Sequence, residues 1–516
     1  MITRAPLPKI CIALGLPTPE RLMEHACREA DAGECFLEFR LDYLPRPEDG
    51  LPVIRKFLEK YPDATLLATC RRHQNHGRFN GSIEEEFRIL SAAVDAGARA
   101  VDVEIESAET PMAPLDLIAG RAHIVLSYHN YEGTPALDPI MKRMLKVPAS
   151  IYKIVTTARK PSDNLRVLSL ARAWPKTPLI LLAMTEMGFP TRVLCTVFGG
   201  VYTYAAPSSM EGTAAGQVTA RVLRTLYRVD RPPASPKLFG VIADPVRHSI
   251  SPAVHNRAMQ ARRYPGLYLP FLVTPLQLKD FFSLAENLPL AGFSVTIPHK
   301  HRIIRYLDSI DPLTKRIGAV NTVYRKAGRW RGTNTDVDGI RVPLQKRVKL
   351  ARSSALIVGN GGTARSAAFT LKDAGARLAI TGRNIDRVRA LAKLVDAEAL
   401  TPEQAESRFF DILIHATPLG MWPHTETCFF QGAIPAALVF DLVYTPMETV
   451  LLRRAAAEGK AVIHGLEMFL EQAARQFEIF TGLTAPRAAM ERAAIEALRE
   501  QEAQLHVHAG RQGGTL

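Results

Sequence analysis

Apolar positions follow two periodic patterns, one on each side of a proline-rich segment. In the first half, short runs rich in β-branched residues alternate with longer amphipathic stretches, as in parallel strands joined by helices. Strands are predicted at 9–14, 35–42, 65–70, 100–105, 123–129, 151–155, 178–184 and 201–206, and helices at 19–32, 83–96 and 164–174 among others. Eight strand–helix repeats over residues 1–229 predict an α/β fold of the (β/α)8 TIM-barrel type, with an open doubly wound sheet as the alternative.

Residues 230–237 separate the two halves. Pro232, Pro233 and Pro236 remove backbone donors and fix φ, so neither a helix nor a central strand can pass through. The segment predicts a semi-rigid linker between two folded units.

The second half begins with a predicted strand at 237–243. An apolar strand is predicted from Gly292 to Lys300, and Gly328 marks the turn of a hairpin-like segment. Strands at 355–358 and 377–381 flank a glycine-rich turn and a helix that runs to Ala374. This order predicts a second α/β unit that contains a Rossmann-type domain.

Composition adds few constraints. The 516 residues suggest about three domain-sized units, or two if one is a barrel. No apolar run approaches a membrane span, and Met1–Pro6 do not resemble a secretory leader, so we expect a cytoplasmic protein. The six cysteines are scattered without ligand spacing, which predicts reduced thiols and no metal site.

The net charge of +14 has two interpretations. One is nucleic-acid binding, but the basic residues are dispersed and no nucleic-acid-binding motif is present. The other, which we favour, is a basic surface that attracts anionic small-molecule substrates. We therefore expect neither nucleic acid nor a membrane as a partner.

Polar residues stand near the carboxyl ends of the barrel strands, where such barrels carry their catalytic groups. They are Glu38, Arg40, Arg71 and His129. Lys153 lies inside an apolar run, where burial should lower its pKa and make it a better nucleophile. A lysine paired with a buried carboxylate is the alternative, but His129 one strand away favours Schiff-base chemistry.

This half resembles type I 3-dehydroquinate dehydratase over nearly its whole length. The residues that carry the resemblance are Glu38-Phe39-Arg40-Leu41-Asp42, Thr69-Cys70-Arg71, Ser127-Tyr128-His129, Lys153, Gly188-Phe189-Pro190-Thr191-Arg192 and Gly212-Thr213-Ala214-Ala215-Gly216-Gln217. The resemblance implies that Lys153 forms an imine with the substrate ketone and that His129 is the general base and acid. It further implies that Arg192 binds the carboxylate, that Glu38, Arg40 and Arg71 hold the hydroxyls, and that Thr213 and Gln217 close over the ring.

Two positions depart from the family pattern. Asn75 stands where the family usually has a Glu that orients the histidine, and we hypothesise that Glu104 replaces it. Thr213 replaces a usual Ser and keeps the hydroxyl.

In the second half, Ser249 and Ser251 precede a predicted helix. They suit carboxylate binding near a helix N-terminus, but from these residues alone an N-cap formed by Ser251-Pro252 is the favoured explanation. His299 and His301 flank Lys300 and are interpreted as solvent-facing residues rather than as metal ligands.

The glycine-rich turn carries the G-x-G-x-x-A dinucleotide fingerprint in its strand–turn–helix context. It consists of Gly359-Asn360-Gly361-Gly362-Thr363-Ala364. The next strand runs into Arg383 and Asn384, with Arg387 following, instead of an acidic residue. Arginine there favours a 2′-phosphate and predicts NADP(H), with a solvated turn residue as the alternative for Arg383.

This half resembles shikimate dehydrogenase. The carriers are His248-Ser249-Ile250-Ser251-Pro252, Val295-Thr296-Ile297-Pro298-His299-Lys300, Gly318-Ala319-Val320-Asn321-Thr322, Asn334-Thr335-Asp336, the fingerprint, Ala416-Thr417-Pro418-Leu419-Gly420-Met421, Asp441-Leu442-Val443-Tyr444 and Gly465-Leu466-Glu467-Met468, reaching Gln472. The resemblance implies that Ser249 and Ser251 bind the substrate carboxylate, and that Lys300 and Asp336 form the catalytic pair. Thr296, Asn321, Tyr444 and Gln472 would hold the ring, and Gly465 would join the cofactor-binding residues. Ser294 replaces a common Asn, and both serines favour shikimate over quinate.

The resemblances imply a division into five parts after the barrel. We expect the linker at 230–237, a substrate domain at 238–340, an NADP-binding Rossmann domain at 341–464, returning helices at 465–505 and a disordered tail at 506–516.

Together the halves predict a bifunctional enzyme of the shikimate pathway. It would convert 3-dehydroquinate to 3-dehydroshikimate, and then to shikimate with NADPH. The alternatives are a ligand sensor that keeps both folds, an enzyme with one working half, and a quinate dehydrogenase partner. The sequence leaves the oligomeric state, the reaction rates and any channelling open.

Overall fold

The structure is a computed structural model of the full chain. It describes residues 7–111, 113–208 and 212–512, with the backbone alone for 504–512. The predictions made for Met1–Pro6 lie outside the described residues. By its internal contacts the chain divides into two compact units, and the boundary between Pro236 and Lys237 falls in the predicted linker.

The first unit is built on eight parallel strands. These are β1 Ile10–Leu14, β2 Phe36–Arg40, β3 Thr65–Thr69, β4 Ala100–Glu104, β5 His123–His129, β6 Ile151–Thr157, β7 Leu179–Met184 and β8 Thr203–Ala205. They are hydrogen-bonded in the order β7-β6-β5-β4-β3-β2-β1-β8. The amide of Val201 donates to the carbonyl of Leu179 at 2.8 Å, which brings the segment before β8 to β7 and nearly closes the sheet. The predicted barrel is confirmed.

Helices follow the strands of this barrel. They are α1 Pro19–Asp31, α2 Gly50–Lys60, α3 Ile83–Asp95, α4 Ile105–Ala108, α5 Leu137–Met144, α6 Asp163–Ala173, α7 Phe189–Val197 and α8 Ala220–Thr225. Local chemistry sets where they begin. The Thr18 hydroxyl caps α1 ahead of Pro19, and Ser82 and Glu85 form a reciprocal capping box on α3.

The second unit contains two six-stranded sheets. The first is mixed, in the order β10-β9-β11-β13-β14-β12, and the second is parallel, in the order β17-β16-β15-β18-β19-β20. The strands are β9 Lys237–Ala243, β10 Gly266–Leu272, β11 Leu290–Val295, β12 Ser309–Ile310, β13 Thr322–Lys326, β14 Arg329–Thr333, β15 Ser354–Val358, β16 Arg377–Thr381, β17 Glu398–Ala399, β18 Phe410–His415, β19 Ala436–Asp441 and β20 Ala461–Ile463. The hairpin β13–β14 turns at Ala327 and Gly328, which both have positive φ.

Helices connect or follow these strands along the chain. They are α9 Ser251–Ala261, α10 Leu278–Asn287, α11 Pro312–Ile317, α12 Asp336–Gln345, α13 Gly362–Asp373, α14 Ile385–Val395, α15 Pro402–Glu406, α16 Val450–Ala457, α17 Gly465–Thr481 and α18 Arg487–Gln512. Helix α17 packs on α12 and on strands of the first sheet, and α18 packs on α9. The contacts group residues Phe271–Pro289 with the first unit. Within that unit, the Asp280 carboxylate on α10 accepts hydrogen bonds from the amide and hydroxyl of Ser162, at 2.8 and 2.7 Å.

Two sequence expectations are corrected by these boundaries. Strand β11 ends at Val295, so Lys300 lies in the turn after the strand rather than at its end. Pro298 has no amide hydrogen to continue the ladder. The expected disordered tail is wrong for 506–512, because the helix continues to Gln512; residues 513–516 lie outside the described part.

Candidate active sites

The carboxyl ends of β2 to β6 bring the predicted residues of the barrel together. Lys153 on β6 is paired in register with Ser127 on β5, and Ser127 is paired with Glu104 on β4. The Lys153 side chain is buried, and its Nζ lies 2.8 Å from Asp102 Oδ2 and 3.1 Å from the hydroxyl of Tyr204. The carboxylate partner that sequence analysis left open is therefore present, and it holds the amine in the lumen.

Asp102 is the common anion of this site. Its Oδ1 accepts from Arg71 at 2.8 Å and from the Ser127 hydroxyl at 2.7 Å, while Oδ2 faces Lys153. Burial by itself would raise the pKa of Asp102, but the charges of Lys153 and Arg71 outweigh it and hold the pKa well below its usual range. The carboxylate is therefore ionised at any ordinary assay pH.

Sequence analysis missed both Asp102 and Tyr204. The available signal was the pair Asp102 and Glu104, whose alternate spacing on a short apolar strand turns both carboxylates to the same face. Tyr204, on the short strand β8, carried no comparable signal.

His129 lies against Arg71, with Arg71 NH1 2.9 Å from His129 Nδ1. Burial, followed by the positive charges of Arg71 and Lys153, lowers the pKa of His129 well below its ordinary value. The imidazole is therefore neutral near pH 7, which is the form a general base requires. The ring of Tyr131 lies nearly parallel to that of His129, with centroids 6.1 Å apart.

The hypothesis that Glu104 orients His129 finds only an indirect link. Glu104 Oε1 lies 3.2 Å from Arg71 NH1, and its Oε2 accepts from the Arg72 amide at 3.0 Å. Within the described part of the chain no hydrogen bond joins Glu104 to His129, so Arg71 stands between them. The Asn75 side chain donates to Glu106, and the Asn75 carbonyl accepts from the Tyr131 hydroxyl at 3.0 Å.

Three predicted substrate-binding residues line the same end of the barrel. Arg40 forms a two-pronged ion pair with Asp42 at 2.9 and 2.8 Å, and Glu38 accepts from the Thr69 hydroxyl at 2.6 Å. Arg192 is buried, and among the described residues no carboxylate pairs with it and its Nε has no hydrogen-bond partner. Burial lowers the pKa of Arg192 to about 10. A buried guanidinium with an unused donor fits an anionic ligand.

The loop after β8 carries Thr213 and Gln217. Gln217 Oε1 accepts from the Ala214 amide at 3.3 Å, and the Ala215 carbonyl accepts from Arg192 at 2.9 Å. The loop approaches β7 closely at Gly216, where φ is +80° and an added Cβ would lie 2.4 Å from the Thr185 carbonyl oxygen. Only glycine fits that position without moving the loop.

In the second unit, Lys300 and Asp336 form the expected pair, with Nζ 2.6 Å from Oδ2. Asn321 donates to Asp336 Oδ1 at 2.8 Å and to Gln472 Oε1 at 3.3 Å. Lys300 Nζ also lies 3.3 Å from the hydroxyl of Thr363 in the fingerprint. The structure thus brings five predicted residues into one polar cluster.

The other residues predicted to bind the substrate of the second unit lie on several different elements. Helix α9 begins at Ser251 behind the N-cap residue Ile250, and Ser249 Oγ accepts from the Ser251 amide at 3.3 Å. Ser251 is therefore not the cap that sequence analysis considered. Thr296 follows β11, and Tyr444 is held beside Phe469, where burial raises its pKa to about 12.

The fingerprint turn fits a dinucleotide. Gly359 has φ +127°, and an added Cβ would lie 2.9 Å from the Ala416 carbonyl oxygen. Helix α13 begins at Gly362 with no side-chain cap, and the space beside Gly361 is open. Free amides at an uncapped helix N-terminus suit a pyrophosphate. Asn360 belongs to the glycine-rich turn, whereas Thr363 and Ala364 lie in the first turn of α13.

Arg383 and Arg387 are exposed at the carboxyl end of β16. Neither guanidinium group has a hydrogen bond or ion pair to any described residue, so both are available to a ligand. The Asn384 side chain caps α14 by accepting from the Arg387 amide at 3.0 Å. At the start of α17, a Cβ on Gly465 would lie 2.3 Å from the Val443 carbonyl oxygen, so the helix packs directly on that segment.

The interpretation of both flanking histidines as solvent-facing is half wrong. His301 is exposed and lies 2.6 Å from the Gly318 carbonyl, whereas His299 is fully buried, in a turn where its amide donates to the Thr296 carbonyl. No group of three or more metal-ligating side chains occurs among residues 7–111, 113–208 and 212–512. In the same ranges no helix has both the length and the apolar character of a membrane span.

A buried network beside the fingerprint was also missed. His415 Nδ1 lies 2.9 Å from Asp441 Oδ1, and its Nε2 lies 2.5 Å from the Thr417 hydroxyl. The network ties together the segments that follow β18 and β19. The register of two neighbouring parallel strands creates this pairing, and it could not be read from either motif separately.

Comparisons with known proteins agree with this division. Residues 10–232 match type I 3-dehydroquinase, 241–323 the shikimate dehydrogenase substrate binding domain, 343–419 shikimate / quinate 5-dehydrogenase, and 465–495 the shikimate 5′-dehydrogenase C-terminal domain.

Two relatives span both halves. A chloroplastic bifunctional 3-dehydroquinate dehydratase/shikimate dehydrogenase of Arabidopsis thaliana is 34% identical over 93% of this chain and 83% of its own length. The shikimate biosynthesis protein AroDE of Chlamydia pneumoniae is 32% identical over 74% of this chain and 78% of its own. A solved shikimate dehydrogenase in complex with NADP+ is 34% identical, with a TM-score of 0.50, over 52% of this chain and 97% of its own. The chain therefore belongs to the family of bifunctional shikimate-pathway enzymes that join a type I 3-dehydroquinate dehydratase to an NADP-dependent shikimate dehydrogenase.

Proposed function

We propose that Lys153 and His129 carry the dehydration in the barrel. The observation that supports this most directly is a buried amine held beside an ionised Asp102, with a neutral imidazole on the adjacent strand. Lys153 would add to the ketone of 3-dehydroquinate and expel water, giving an imine that acidifies the neighbouring C–H bond. His129 would take that proton and return it to the departing hydroxyl, which leaves as water. Hydrolysis of the imine then restores Lys153 and gives 3-dehydroshikimate.

The same proposal assigns the surrounding residues to substrate binding. Arg192 would hold the carboxylate, because its buried Nε lacks a partner. Glu38, Arg40 and Arg71 would hold hydroxyls, and Thr213 and Gln217 would cover the ring from the loop after β8.

In the second unit, Lys300 and Asp336 would act beside the ketone of 3-dehydroshikimate. Their 2.6 Å contact fixes the ammonium group where it can hand a proton to the carbonyl oxygen as the alcohol forms. NADPH, when bound, supplies the hydride. Ser249 and Ser251 would hold the substrate carboxylate, and these two serines favour shikimate over quinate as the product. The ring would be held by Thr296, Asn321, Tyr444 and Gln472.

The cofactor would lie along the turn from Gly359 to Ala364. The glycine turn would allow close approach of the backbone, and the amides that open α13 would hold the pyrophosphate. Arg383, just before α14, and Arg387, in the first turn of α14 that Asn384 caps, would face the 2′-phosphate, and Gly465 would join the cofactor-binding residues. We further propose domain limits of 1–229, 238–340, 341–464 and 465–505, and a cytoplasmic location, which the six unpaired cysteines favour.

One assay tests the proposal. Adding 3-dehydroquinate and NADPH to the purified chain should consume NADPH, and both Lys153→Ala and Lys300→Ala should abolish this consumption. Lys153→Ala should still reduce added 3-dehydroshikimate, which separates the two sites. NADPH consumption from 3-dehydroquinate in Lys153→Ala would exclude the Schiff-base role, and inactivity of the unmodified chain with both substrates would favour the ligand-sensor alternative.

A further inference from the structure

The contact between Arg71 and His129 determines where the imidazole carries its proton. Arg71 NH1 lies 2.9 Å from His129 Nδ1. A guanidinium offers only donors and keeps its protons in proteins, so Nδ1 must be the acceptor. A neutral imidazole that accepts at Nδ1 carries its proton on Nε2. In this arrangement neither ring nitrogen of His129 has a lone pair available to a substrate.

Two carboxylates on β4 hold Arg71 in this position. Its NH2 donates to Asp102 at 2.8 Å, and its NH1 donates to Glu104 at 3.2 Å as well as to His129. The two protons of NH1 are thus divided between Glu104 and His129. An added Cβ on Gly77 would lie 2.0 Å from the Arg71 carbonyl oxygen, so the loop after β3 packs directly on the arginine backbone.

The electrostatic surroundings are consistent with an accepting imidazole. Burial, Arg71, Lys153 and Arg40 all lower the pKa of His129, and Asp102 alone among the main charges raises it. The pKa of Tyr131, whose ring centroid lies 6.1 Å from that of His129, is raised by burial, so this neighbour is uncharged near pH 7. A neutral His129 is therefore the resting form, and its acceptor nitrogen is occupied.

We propose that Arg71 is a positioning residue that keeps His129 from acting as a base until a ligand draws the guanidinium away. The inference rests on the proposed function, in which Arg71 binds a substrate hydroxyl and His129 removes a proton. When NH1 turns to that hydroxyl, Nδ1 regains its lone pair and can take the proton from the substrate carbon. Arg71 keeps all its protons throughout, and the imidazole gains one and later returns it to the leaving hydroxyl.

The consequence is that proton abstraction is coupled to occupancy of the hydroxyl-binding position. A ketone that reaches Lys153 without a hydroxyl for Arg71 would form an imine, yet His129 would stay blocked. Imine formation with Lys153 would therefore not be sufficient for such a compound to lose its proton. The arrangement would thereby discriminate between ligands after imine formation.

The test is the tautomer of His129 in the full chain labelled with 15N-histidine. Long-range 1H–15N spectra, with His129→Gln to identify the signals, should show an accepting Nδ1 and a proton on Nε2 in the free protein. Reducing the imine of 3-dehydroshikimate with borohydride fixes the ligand on Lys153, and the Nδ1 signal should then change. A proton on Nδ1 in the free chain would overturn the proposal, and so would an unchanged Nδ1 signal in the trapped complex.

Two variants distinguish the effect of Arg71 on His129 from the effect of a neighbouring arginine. Arg71→Gln should raise the pKa of His129 toward the ordinary value of about 6.5, because a neighbouring positive charge is lost. Arg72→Gln is the matched control, since the Arg72 guanidinium faces Glu86 at 3.8 Å and should leave the His129 signals unchanged. Equal shifts in both variants would contradict a specific role for Arg71. Failure of borohydride to fix any ligand on Lys153, with the free-chain tautomer as expected, would instead overturn the proposed dehydration.

Discussion

Asp102 neutralises two buried cations at once, and this makes it the most sensitive single residue of the barrel site. Lys153 and Arg71 both lie 2.8 Å from its oxygens, and its side chain is completely enclosed. Removing one partner of a buried ion pair typically costs about 3–5 kcal/mol, because the remaining charge is left without compensation. Here two charges would be left, both on residues to which we assign a role in the dehydration.

We therefore expect Asp102→Asn to lower the dehydratase kcat by at least about 100-fold, the scale of a lost electrostatic contact in a catalytic site. The barrel should also unfold at a lower temperature, while reduction of 3-dehydroshikimate by the second unit should be unchanged. Parallel assays of the two activities and thermal unfolding measure these effects. Asp116→Asn is the control, because Asp116 is exposed and has no partner among the described residues. A dehydratase kcat within a few-fold of the unmodified chain would contradict the shared-anion role.

The contrast between Lys153 and Asp102 shows what the sequence could predict at the scale of single residues. Lys153 is conspicuous because a lysine interrupts an apolar strand, and His129 is conspicuous at a strand end. Asp102 also interrupts an apolar strand, but its partners come from β5, from β6 and from the segment that follows β3. Its importance depends on which strands become neighbours, and that information is not local. The same reason explains why His415 and Asp441 were missed.

At the scale of elements, the periodic pattern predicted the strands well and their ends less well. Every predicted barrel strand exists, because a strand covered on both faces must be apolar throughout. The predicted second strand ran to Asp42, whereas β2 ends at Arg40 and the chain turns into a short 3-10 segment. The Arg40 side chain folds back onto Asp42 there, and such a side-chain interaction has no periodicity to reveal it.

The segment from the end of β16 into the first turn of α14 supports a prediction about cofactor choice. Arg383 and Arg387 are exposed and unpaired within the described ranges, so they are free to form charge-assisted hydrogen bonds with a 2′-phosphate. Each such bond contributes about 1.5–3 kcal/mol. Arg383→Ala with Arg387→Ala should raise the KM for NADPH by about tenfold or more and leave the KM for NADH nearly unchanged.

Initial rates of 3-dehydroshikimate reduction with each cofactor measure this difference. Arg389→Ala is the matched control, because Arg389 is exposed on the same helix but pairs loosely with Asp386 at 3.6 Å. If both KM values rose together in the double variant, the arginines would be shaping the loop rather than recognising the phosphate.

At the scale of the whole molecule, one chain carries two consecutive reactions on separate units joined near Pro236. Covalent linkage raises the effective concentration of groups that stay attached to the chain. In the proposed mechanism the intermediate 3-dehydroshikimate does not stay attached, because hydrolysis of the imine on Lys153 releases it. Once released it equilibrates with the solution, and linkage by itself gives the second site no preference for molecules made by the first.

A mixture of single-site variants tests this argument. Lys153→Ala should retain only the reductase and Lys300→Ala only the dehydratase. Equal concentrations of the two would then supply the same number of each site as the unmodified chain at that concentration. With 3-dehydroquinate and NADPH, we expect the mixture and the unmodified chain to show the same lag and the same steady rate. The comparison is sharpest at low enzyme concentration, where a freely diffusing intermediate takes longest to accumulate. A shorter lag for the unmodified chain, at matched dehydratase and reductase activities, would show direct transfer and would overturn the view that the two reactions are linked only by diffusion.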